Sequence, residues 1–317
     1  MRSLADFCTA LRLLLDLRAV GTRWQAKNTP PWPSYFGTDP NPPSQTAFVL
    51  RQAAIGLWEY LLLDLIFSQS GRGLPSDDFS SFSSFINPTH GRWQVRLLSS
   101  LAVWLVFGRT LVDVIYRFVS MVAVLSGLTM PDCWPPFFGS MWDAYTLRNA
   151  WGKFWHQQFR WPFTTFSSFV SRSVLHLPRH SRVERSMSVL LAFLLSGLMH
   201  HVGSPVEEAS GAIPFFTVFA VGMVIEDELL WRWRCWFGRG FYSTATTTIW
   251  ERIVGFVWVS VWLAMVAPWY TADIVRVVAS TKTQLPVSLV DAYGLSTASV
   301  VLAIGAVLLK VIFKTSL

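Results

Sequence analysis

The sequence predicts an all-α fold, a polytopic membrane bundle of about six spanning helices with further helices at the interface. Of the 317 residues, 52% are hydrophobic and only 14% are charged, whereas soluble domains usually carry about 25% charged residues. Trp and Phe are frequent, with 17 and 24 copies, and aromatic rings concentrate where a bilayer meets water. These observations indicate a membrane protein.

The net charge of +7 is explained by the same class of protein. Lys and Arg lie in loops beside apolar stretches, which is the positive-inside pattern, so we expect an anionic membrane surface and not a nucleic acid as the neighbour. The cysteines Cys8, Cys133 and Cys235 are far apart and form no CxxC pair. They predict neither a disulfide framework nor a zinc site.

Two regions are predicted along the chain. Residues 1–46 comprise an amphipathic helix lying in the interface and a connection, Thr29–Ser44, that contains six prolines. Proline removes backbone donors and blocks helix formation, so this connection should be extended. Residues 47–317 form the membrane-embedded domain.

The spans are assigned from apolar segments of roughly 20 residues, the length that crosses a bilayer. In order they are Ala47–Phe67, a segment within Leu97–Leu128, Met187–Val202, Ala212–Leu230, Ile253–Trp269 and Leu295–Phe313. The basic, aromatic stretch Pro131–Arg185 is predicted to form interfacial helices on the cytosolic side. Loop charges favour a topology with both termini inside, except for Arg72, Arg92 and Arg96 in the first loop.

Charged residues inside the first two spans are predicted to face the bundle and not lipid. They are Arg51, Glu59, Asp64, Arg109, Asp113 and Arg117. The last three follow one another at i, i+4 and i+8 on one helix face, so Asp113 can pair with both arginines. We expect structural pairing from this group and not catalysis.

A histidine deep in the third span is the strongest candidate for chemistry. His200 lies about 14 residues into that span, which is about 20 Å at 1.5 Å per residue. An intramembrane ionisable residue suggests function, although a neutral histidine bonded to a neighbouring helix is an equally good alternative. His201 points about 100° away on the helix and receives no role.

The sequence evidence for a metal site is weaker. His176 and His180 have the i, i+4 spacing of a ligand pair, but Pro178 between them spoils the helical face, and no metal is expected. Glu207 and Glu208, near His201 in the sequence, are a weak second candidate for metal ligands.

Acidic clusters would be needed by a membrane terpene cyclase or prenyltransferase. Asp77–Asp78 lacks a third acid, and Glu226–Asp227–Glu228 is interpreted as charge matching with Arg232 and Arg234. This class remains an alternative, as does a non-catalytic membrane protein on the same fold. The sequence contains no GxSxG, Walker or GxGxxG motif.

A deep histidine and a basic, aromatic segment are sufficient for acyl transfer from a thioester to an alcohol. A neutral imidazole, with an unperturbed pKa of about 6.5, can take the hydroxyl proton. Arginine and lysine side chains suit the phosphates of CoA. A site buried in a helical bundle also excludes the water that would hydrolyse the thioester.

Several motifs resemble those of one family. The run Leu147–Gln157 (LRNAWGKFWHQ) resembles the LRxFWGRxWHQ signature of the wax-synthase-like branch of the membrane-bound O-acyltransferase superfamily, and Phe193–His200 (FLLSGLMH) is similar to its FxxSGxxH element. Further similar segments are Arg18–Thr22, Phe215–Phe216 before Glu226–Asp227, and Arg252–Trp258 before Pro268–Trp269. The resemblance covers roughly Leu11 to Trp269. Relatives usually have one or two spans ahead of Leu11.

The resemblance implies roles for individual residues. His200 would be the intramembrane base and His156 its partner. We expect CoA to be bound by Arg148, Asn149, Lys153, Trp155 and Arg160. Fungal members of the family suggest acetyl-CoA as the donor and a terpenoid or meroterpenoid alcohol of secondary metabolism as the acceptor. The protein would be a multi-pass enzyme of the endoplasmic reticulum with no bound cofactor.

Overall fold

The computed structural model describes residues 17–36, 43–70, 98, 101–204, 211–237, 248–271 and 285–315. Within these ranges the chain is helical and contains no strand. Several sequence predictions concern residues outside them: most of the interfacial helix, Cys8, Arg72, Asp77–Asp78, Arg92, Arg96 and Glu207–Glu208. The boundary predicted at residue 46 stays a prediction.

Helices connected by short turns make up the described chain. In order, the α-helices are α1 (Gln45–Ser70), α2 (Arg109–Leu125), α3 (Leu147–Asn149), α4 (Arg160–Phe169), α5 (Arg182–Val202), α6 (Ala212–Phe237), α7 (Ile249–Val266), α8 (Leu289–Tyr293) and α9 (Leu295–Phe313). π-Helical turns precede α2 and follow α3 and α4, at Val103–Gly108, Ala150–Phe154 and Val170–Val174. Short 3₁₀ turns occur at Ser34–Phe36, Pro131–Cys133 and Met141–Asp143.

Three described helices are long and apolar enough to cross a membrane: α5, α7 with its continuation to Thr271, and α9. They coincide with the predicted third, fifth and sixth spans. Helices α1, α2 and α6 occupy the other predicted positions. Helix α2 has only 17 residues, and α1 and α6, although each has 26 residues, are not among the helices apolar enough to cross. The total of six membrane-spanning helices therefore stays a prediction.

Two helices extend at one end by five residues or more beyond the predicted segments. Helix α5 begins at Arg182 and not at Met187, because the Ser181 hydroxyl accepts a hydrogen bond from the Glu184 backbone N–H at 3.1 Å and caps the helix. Helix α6 continues past Leu230, where Glu228 and Arg232 form an i, i+4 ion pair at 2.9 Å along its surface.

The chain forms two compact units. The first contains Met1–Pro30 and Phe138–Trp262. In it, α5 packs against both α4 and α6. The motif glycine Gly197 allows the second contact, because a Cβ there would lie only 3.0 Å from the Cα of Ile213 at the start of α6. A larger residue at this position would force α5 and α6 apart.

The second unit contains Pro31–Phe137 and Leu263–Leu317, with α1 packed against α2, α8 and α9. As predicted, Arg51, Glu59 and Asp64 are buried in α1. Arg117 of α2 pairs with Asp113 at 2.6 Å and with Glu59 of α1 at 2.9 Å. This confirms structural pairing on α2 and shows that it extends to α1.

Candidate active site

A cavity of about 400 Å³ lies within the first unit. Its volume falls in the range of roughly 300–1,000 Å³ that is usual for small-molecule sites. Helices α4 and α5, the segment from Arg148 to Gln157, and α6 provide its walls. The cavity therefore lies where the motif-bearing segments meet.

One face of α5 runs along the cavity. Its lining residues follow an i, i+4 stripe: Glu184, Ser188, Ala192, Ser196 and His200, with Arg185, Val189 and Phe193 beside them. At 1.5 Å per residue, the distance along the helix from Arg185 to His200 is about 22 Å. The cavity thus connects a charged end of α5 with a histidine near its other end.

His200 is held in one tautomer by its own helix. Its Nδ1 lies 2.7 Å from the Ser196 carbonyl oxygen. A carbonyl only accepts, so in the neutral ring Nδ1 carries the proton and Nε2 carries the lone pair. The ring also packs against Phe216 of α6, with centroids 4.6 Å apart. In its neutral form, His200 therefore presents a basic nitrogen, Nε2, from a ring that lines the cavity.

His156 lines the same cavity and is kept uncharged. Burial, followed by the nearby His200 and Arg18, lowers its pKa to about 3. Part of the ring surface faces the cavity, while Phe138 and Trp155 contact the ring with centroids 5.9 and 5.6 Å away. The structure thus brings His156 and His200 together, beside the buried Arg18 of the segment Arg18–Thr22.

A π-helical turn sets the position of His156. The Trp155 N–H donates to the Ala150 carbonyl at 2.7 Å, which closes the turn, and the chain then becomes extended. Buried Gln157 donates from Nε2 to the carbonyl of Trp151 at 3.0 Å and to that of Trp155. Gln157 belongs to the sequence motif but has no predicted role; in the structure it fixes the backbone at Trp151 and at Trp155.

A second backbone segment supports this turn. The Gly139 N–H donates to the Phe154 carbonyl at 2.8 Å. A Cβ at Gly139 would collide with the Lys153 carbonyl oxygen, which belongs to the backbone and cannot rotate away. Only glycine permits this close approach.

Arginines lie at the charged end of the cavity: Arg148, Arg160, Arg172 and Arg185. Arg148 pairs with Asp227, and its Nε lies 3.1 Å from the carboxylate Oδ1. Burial and the nearby Arg148 lower the pKa of Arg160, as expected for two positive charges close together. This end is suited to an anionic ligand.

The residues predicted to bind CoA divide into two groups. Arg148, Trp155 and Arg160 line the cavity, whereas Asn149 and Lys153 are not among its lining residues. The backbone N–H of Asn149 donates to the Thr146 hydroxyl at 2.9 Å, which caps α3. This capping does not involve its side chain.

The acidic triplet of α6 requires a correction. It was interpreted as charge matching with Arg232 and Arg234, but only Glu228 pairs with Arg232. Asp227 pairs with Arg148, and buried Glu226 accepts hydrogen bonds from backbone N–H groups. The charge pattern alone could not show which acid faces inward.

His176 and His180 do not share a helical face. His176 and His180 have positive φ angles of 52° and 63° and lie outside any helix. Across the described ranges, no group of three or more His, Cys, Asp or Glu residues could hold a metal ion.

Comparisons with known proteins identify the family. Residues 134–218, from before α3 into α6, match the membrane bound O-acyl transferase family. The chain is 38% identical over 330 residues to acetyltransferase atnC of Arthrinium sp, covering 99% of this chain and 73% of that protein. The chain belongs to the membrane-bound O-acyltransferase family. It is therefore an acyltransferase, as the motifs predicted.

Other members of the family are similar over most of the chain. Acetyltransferase TRI7 of Fusarium sporotrichioides is 35% identical, over 94% of this chain and 70% of that protein. Acetyltransferase cdmC of Talaromyces verruculosus is 36% identical, over 96% of this chain and 74% of that protein. No solved structure matches the chain. With three apolar helices, this acyltransferase is an integral membrane enzyme.

Proposed function

We propose that this enzyme transfers the acetyl group of acetyl-CoA to the hydroxyl of a lipophilic alcohol of terpenoid or meroterpenoid type in secondary metabolism. The observation that carries the proposal is His200, whose Nδ1 is bonded to the Ser196 carbonyl, on a cavity that reaches arginines about 22 Å away along α5. The name acetyltransferase, shared by the relatives above, favours an acetyl donor.

In the proposed reaction, Nε2 of His200 removes the proton of the acceptor hydroxyl as its oxygen attacks the thioester carbonyl. The tetrahedral intermediate collapses, the C–S bond breaks, and the CoA sulfur receives the proton from His200. The products are the acetate ester and CoA, and His200 returns to its neutral form. Exclusion of water from the cavity protects the thioester from hydrolysis.

His156 is proposed to assist the base without changing charge. Its low pKa, caused by burial and by the nearby His200 and Arg18, keeps the ring neutral throughout the physiological range. A neutral imidazole carries one N–H, which can donate to the thioester carbonyl oxygen as negative charge develops there.

The phosphates of CoA are assigned to the arginine end of the cavity. Arg148, Arg160 and Arg185 line that end, and guanidinium groups form strong, charge-assisted bonds with phosphate. The pantetheine arm would then extend past Trp155 towards His200. For Asn149 and Lys153, the proposal of CoA binding rests on the sequence alone.

The proposal extends to the cellular setting. The enzyme is assigned to the endoplasmic reticulum membrane, with CoA entering from the cytosol and the alcohol from the bilayer. Residues 1–46 are assigned to the interface and 47–317 to the acyltransferase domain. The residues proposed for catalysis require no bound cofactor or metal.

Prenyl transfer or terpene cyclisation is not favoured. Either reaction needs a cluster of acids available to hold a diphosphate through metal ions. In the described part of α6, Glu226, Asp227 and Glu228 are each engaged by hydrogen bonds or ion pairs within the protein.

Labelled acetyl transfer in microsomes tests the function. Membranes containing the wild-type enzyme receive radiolabelled acetyl-CoA and a sesquiterpenoid alcohol, and the labelled ester is measured. His200→Ala should lower kcat by about 10²- to 10⁴-fold, the usual contribution of a general base. The exposed neighbour His201, which is not among the residues lining the cavity, provides the matched control His201→Ala.

Full transfer by His200→Ala would contradict the assignment of the base. Absence of transfer by the wild type from acetyl-CoA, with transfer from a longer acyl-CoA, would contradict the acetyl donor. Ester formation that does not depend on CoA would contradict the reaction.

A further inference from the structure

Glu226 is a buried carboxylate that contacts three separate parts of the first unit. It belongs to α6, and only 5% of its surface is exposed. Its Oε1 accepts hydrogen bonds from the Leu147 N–H at 2.9 Å and from the Trp258 indole N–H at 3.0 Å. Its Oε2 accepts from the Arg148 N–H at 3.3 Å. One side chain thereby joins α6, α7 and the start of α3.

The chemistry of these contacts suits a charged carboxylate. Leu147 and Arg148 are the first residues of α3, where backbone N–H groups lack partners within the helix. A carboxylate oxygen is their natural acceptor, and hydrogen bonds to a charged group are roughly twice as strong as neutral ones. The indole contributes a third donor, so three hydrogen bonds oppose the cost of burying Glu226.

The segment held by Glu226 carries much of the candidate site. From α3 the chain continues through the π-helical turn to Trp155 and His156, both of which line the cavity. Helix α6 carries Phe216, which contacts His200. Glu226 therefore joins the helix that packs against the base to the segment that bears its partner.

We propose that Glu226 is a positioning residue, whose carboxylate holds the start of α3 against α6 and so sets the position of His156 relative to His200. The proposal rests on the proposed acetyl transfer. It assigns no contact between Glu226 and the substrates. Because the geometry of reacting groups affects rate steeply, a displacement of about 1 Å can lower it about 10²-fold.

Glu226→Gln tests the proposal with almost no change in volume. The amide offers one acceptor oxygen and a donor NH₂, so at least one of the three N–H groups faces another donor. We expect kcat to fall by about 10- to 100-fold while KM for acetyl-CoA changes by less than about threefold. Glu228→Gln is the matched control, because Glu228 lies two residues away, is 41% exposed and pairs with Arg232.

Hydrogen exchange provides a measurement that does not depend on turnover. Mass spectrometry of a peptide covering residues 146–157 should show faster exchange in Glu226→Gln than in the wild type and in Glu228→Gln. If the wild type transfers no acetyl group, the proposed function fails while this measurement still tests the positioning. Trp258→Phe removes one of the three bonds and should give a smaller change in the same direction.

The outcomes are distinct. Wild-type kcat and wild-type exchange in folded Glu226→Gln would overturn the proposal. So would activity that falls only in proportion to the amount of folded enzyme, with unchanged kcat per folded molecule, because this indicates a purely structural role. If Glu226→Gln does not fold, Trp258→Phe decides: unchanged kcat and unchanged exchange would overturn the proposal.

Discussion

His156 is a histidine that folding keeps neutral. Burial, together with the nearby His200 and Arg18, lowers its pKa to about 3. In the unfolded chain the ring would bind a proton near pH 6.5. Between these two values the unfolded state binds more protons than the folded state, so folding stability falls as the pH falls.

This difference in pKa predicts that His156 alone makes a measurable contribution to the loss of folding stability in acid. Between pH 6.5 and 5, the wild type should lose on the order of 1 kcal/mol of stability per pH unit through His156. In His156→Gln the side chain cannot titrate. The loss of stability between these pH values should therefore be smaller than in the wild type by the contribution of His156. The melting temperature of each protein in detergent is measured at pH 7.5 and pH 5, with its own value at pH 7.5 as reference. Equal losses in both proteins would contradict the prediction.

Arg185 predicts a specific defect in donor binding. It lines the cavity at the arginine end, and its side chain is exposed. Loss of a charge-assisted bond to a CoA phosphate should raise KM for acetyl-CoA about tenfold with little change in kcat. Arg179→Gln is the control, because Arg179 is an exposed arginine that is not among the lining residues. Equal KM values for both variants would argue against CoA binding by Arg185.

For single residues, the motifs and the depth of His200 select two histidines that line one cavity, but they do not indicate the hydrogen-bond partners. The catalytic roles of His200 and His156 stay predictions. The acceptor of His200 is a backbone carbonyl of Ser196, and every residue has such a carbonyl. Likewise Glu226 and Asp227 are adjacent acids, and only the packing of α3 against α6 decides that the first is buried.

Among the elements, α1 and α2 are joined by a buried ionic cluster. Arg117 bonds to Glu59 and Asp113, whose side chains are 4% and 5% exposed. Removing Arg117 would leave two carboxylates buried without their partner, and breaking a buried pair usually destabilises a protein by about 3–5 kcal/mol.

Arg117→Met should therefore be strongly destabilising. The exposed pair of Arg232 and Glu228 provides the comparison, because surface pairs contribute only about 0–1 kcal/mol. Thermal unfolding in detergent should show a large fall in melting temperature for Arg117→Met and a small one for Arg232→Met. Similar small shifts for both would mean that the cluster contributes little to stability.

The helices themselves were largely predictable, since apolar segments and caps are local signals. The Ser181 cap of α5 is one such signal, because Glu184 follows it three residues later as the N-capping pattern requires. The π-helical turn at Ala150–Phe154 is different. It is supported by contacts from Gln157 and Gly139, and such tertiary contacts leave no periodic pattern in the sequence.

For the whole molecule, composition was sufficient to predict a helical membrane protein. The number of spans was not equally well determined, because buried charges make α1 less apolar than a helix exposed to lipid. Arg51, Glu59 and Asp64 all lie within α1 and are buried. Composition measures how apolar a segment is, whereas packing decides which of its residues avoid lipid.

The charge distribution predicts which ends of α5 and α6 face the cytosol. Arginines lie at the start of α5 and the end of α6, at Arg182 and Arg234, while the loop between the helices contains Glu207 and Glu208. By the positive-inside rule, the loop should face the lumen.

An impermeant maleimide tests this orientation. Cys235 is exposed near the end of α6, so the reagent should label it in intact microsomes, whose outer surface is cytosolic. In a background without the native cysteines, Ala209→Cys in the loop should be labelled only after permeabilisation. Labelling of both positions in intact microsomes would contradict the topology.

The π-helical turn at Ala150–Phe154 also has an evolutionary consequence. Such a turn contains one residue more than the corresponding α-helical turn. A single inserted codon in an ancestral helix would therefore be sufficient to produce it, because the wider turn accommodates the additional residue locally. His156 follows the turn by two residues, so its position depends on the number of residues in the turn as well as on their side chains, and deletion of one residue should displace it.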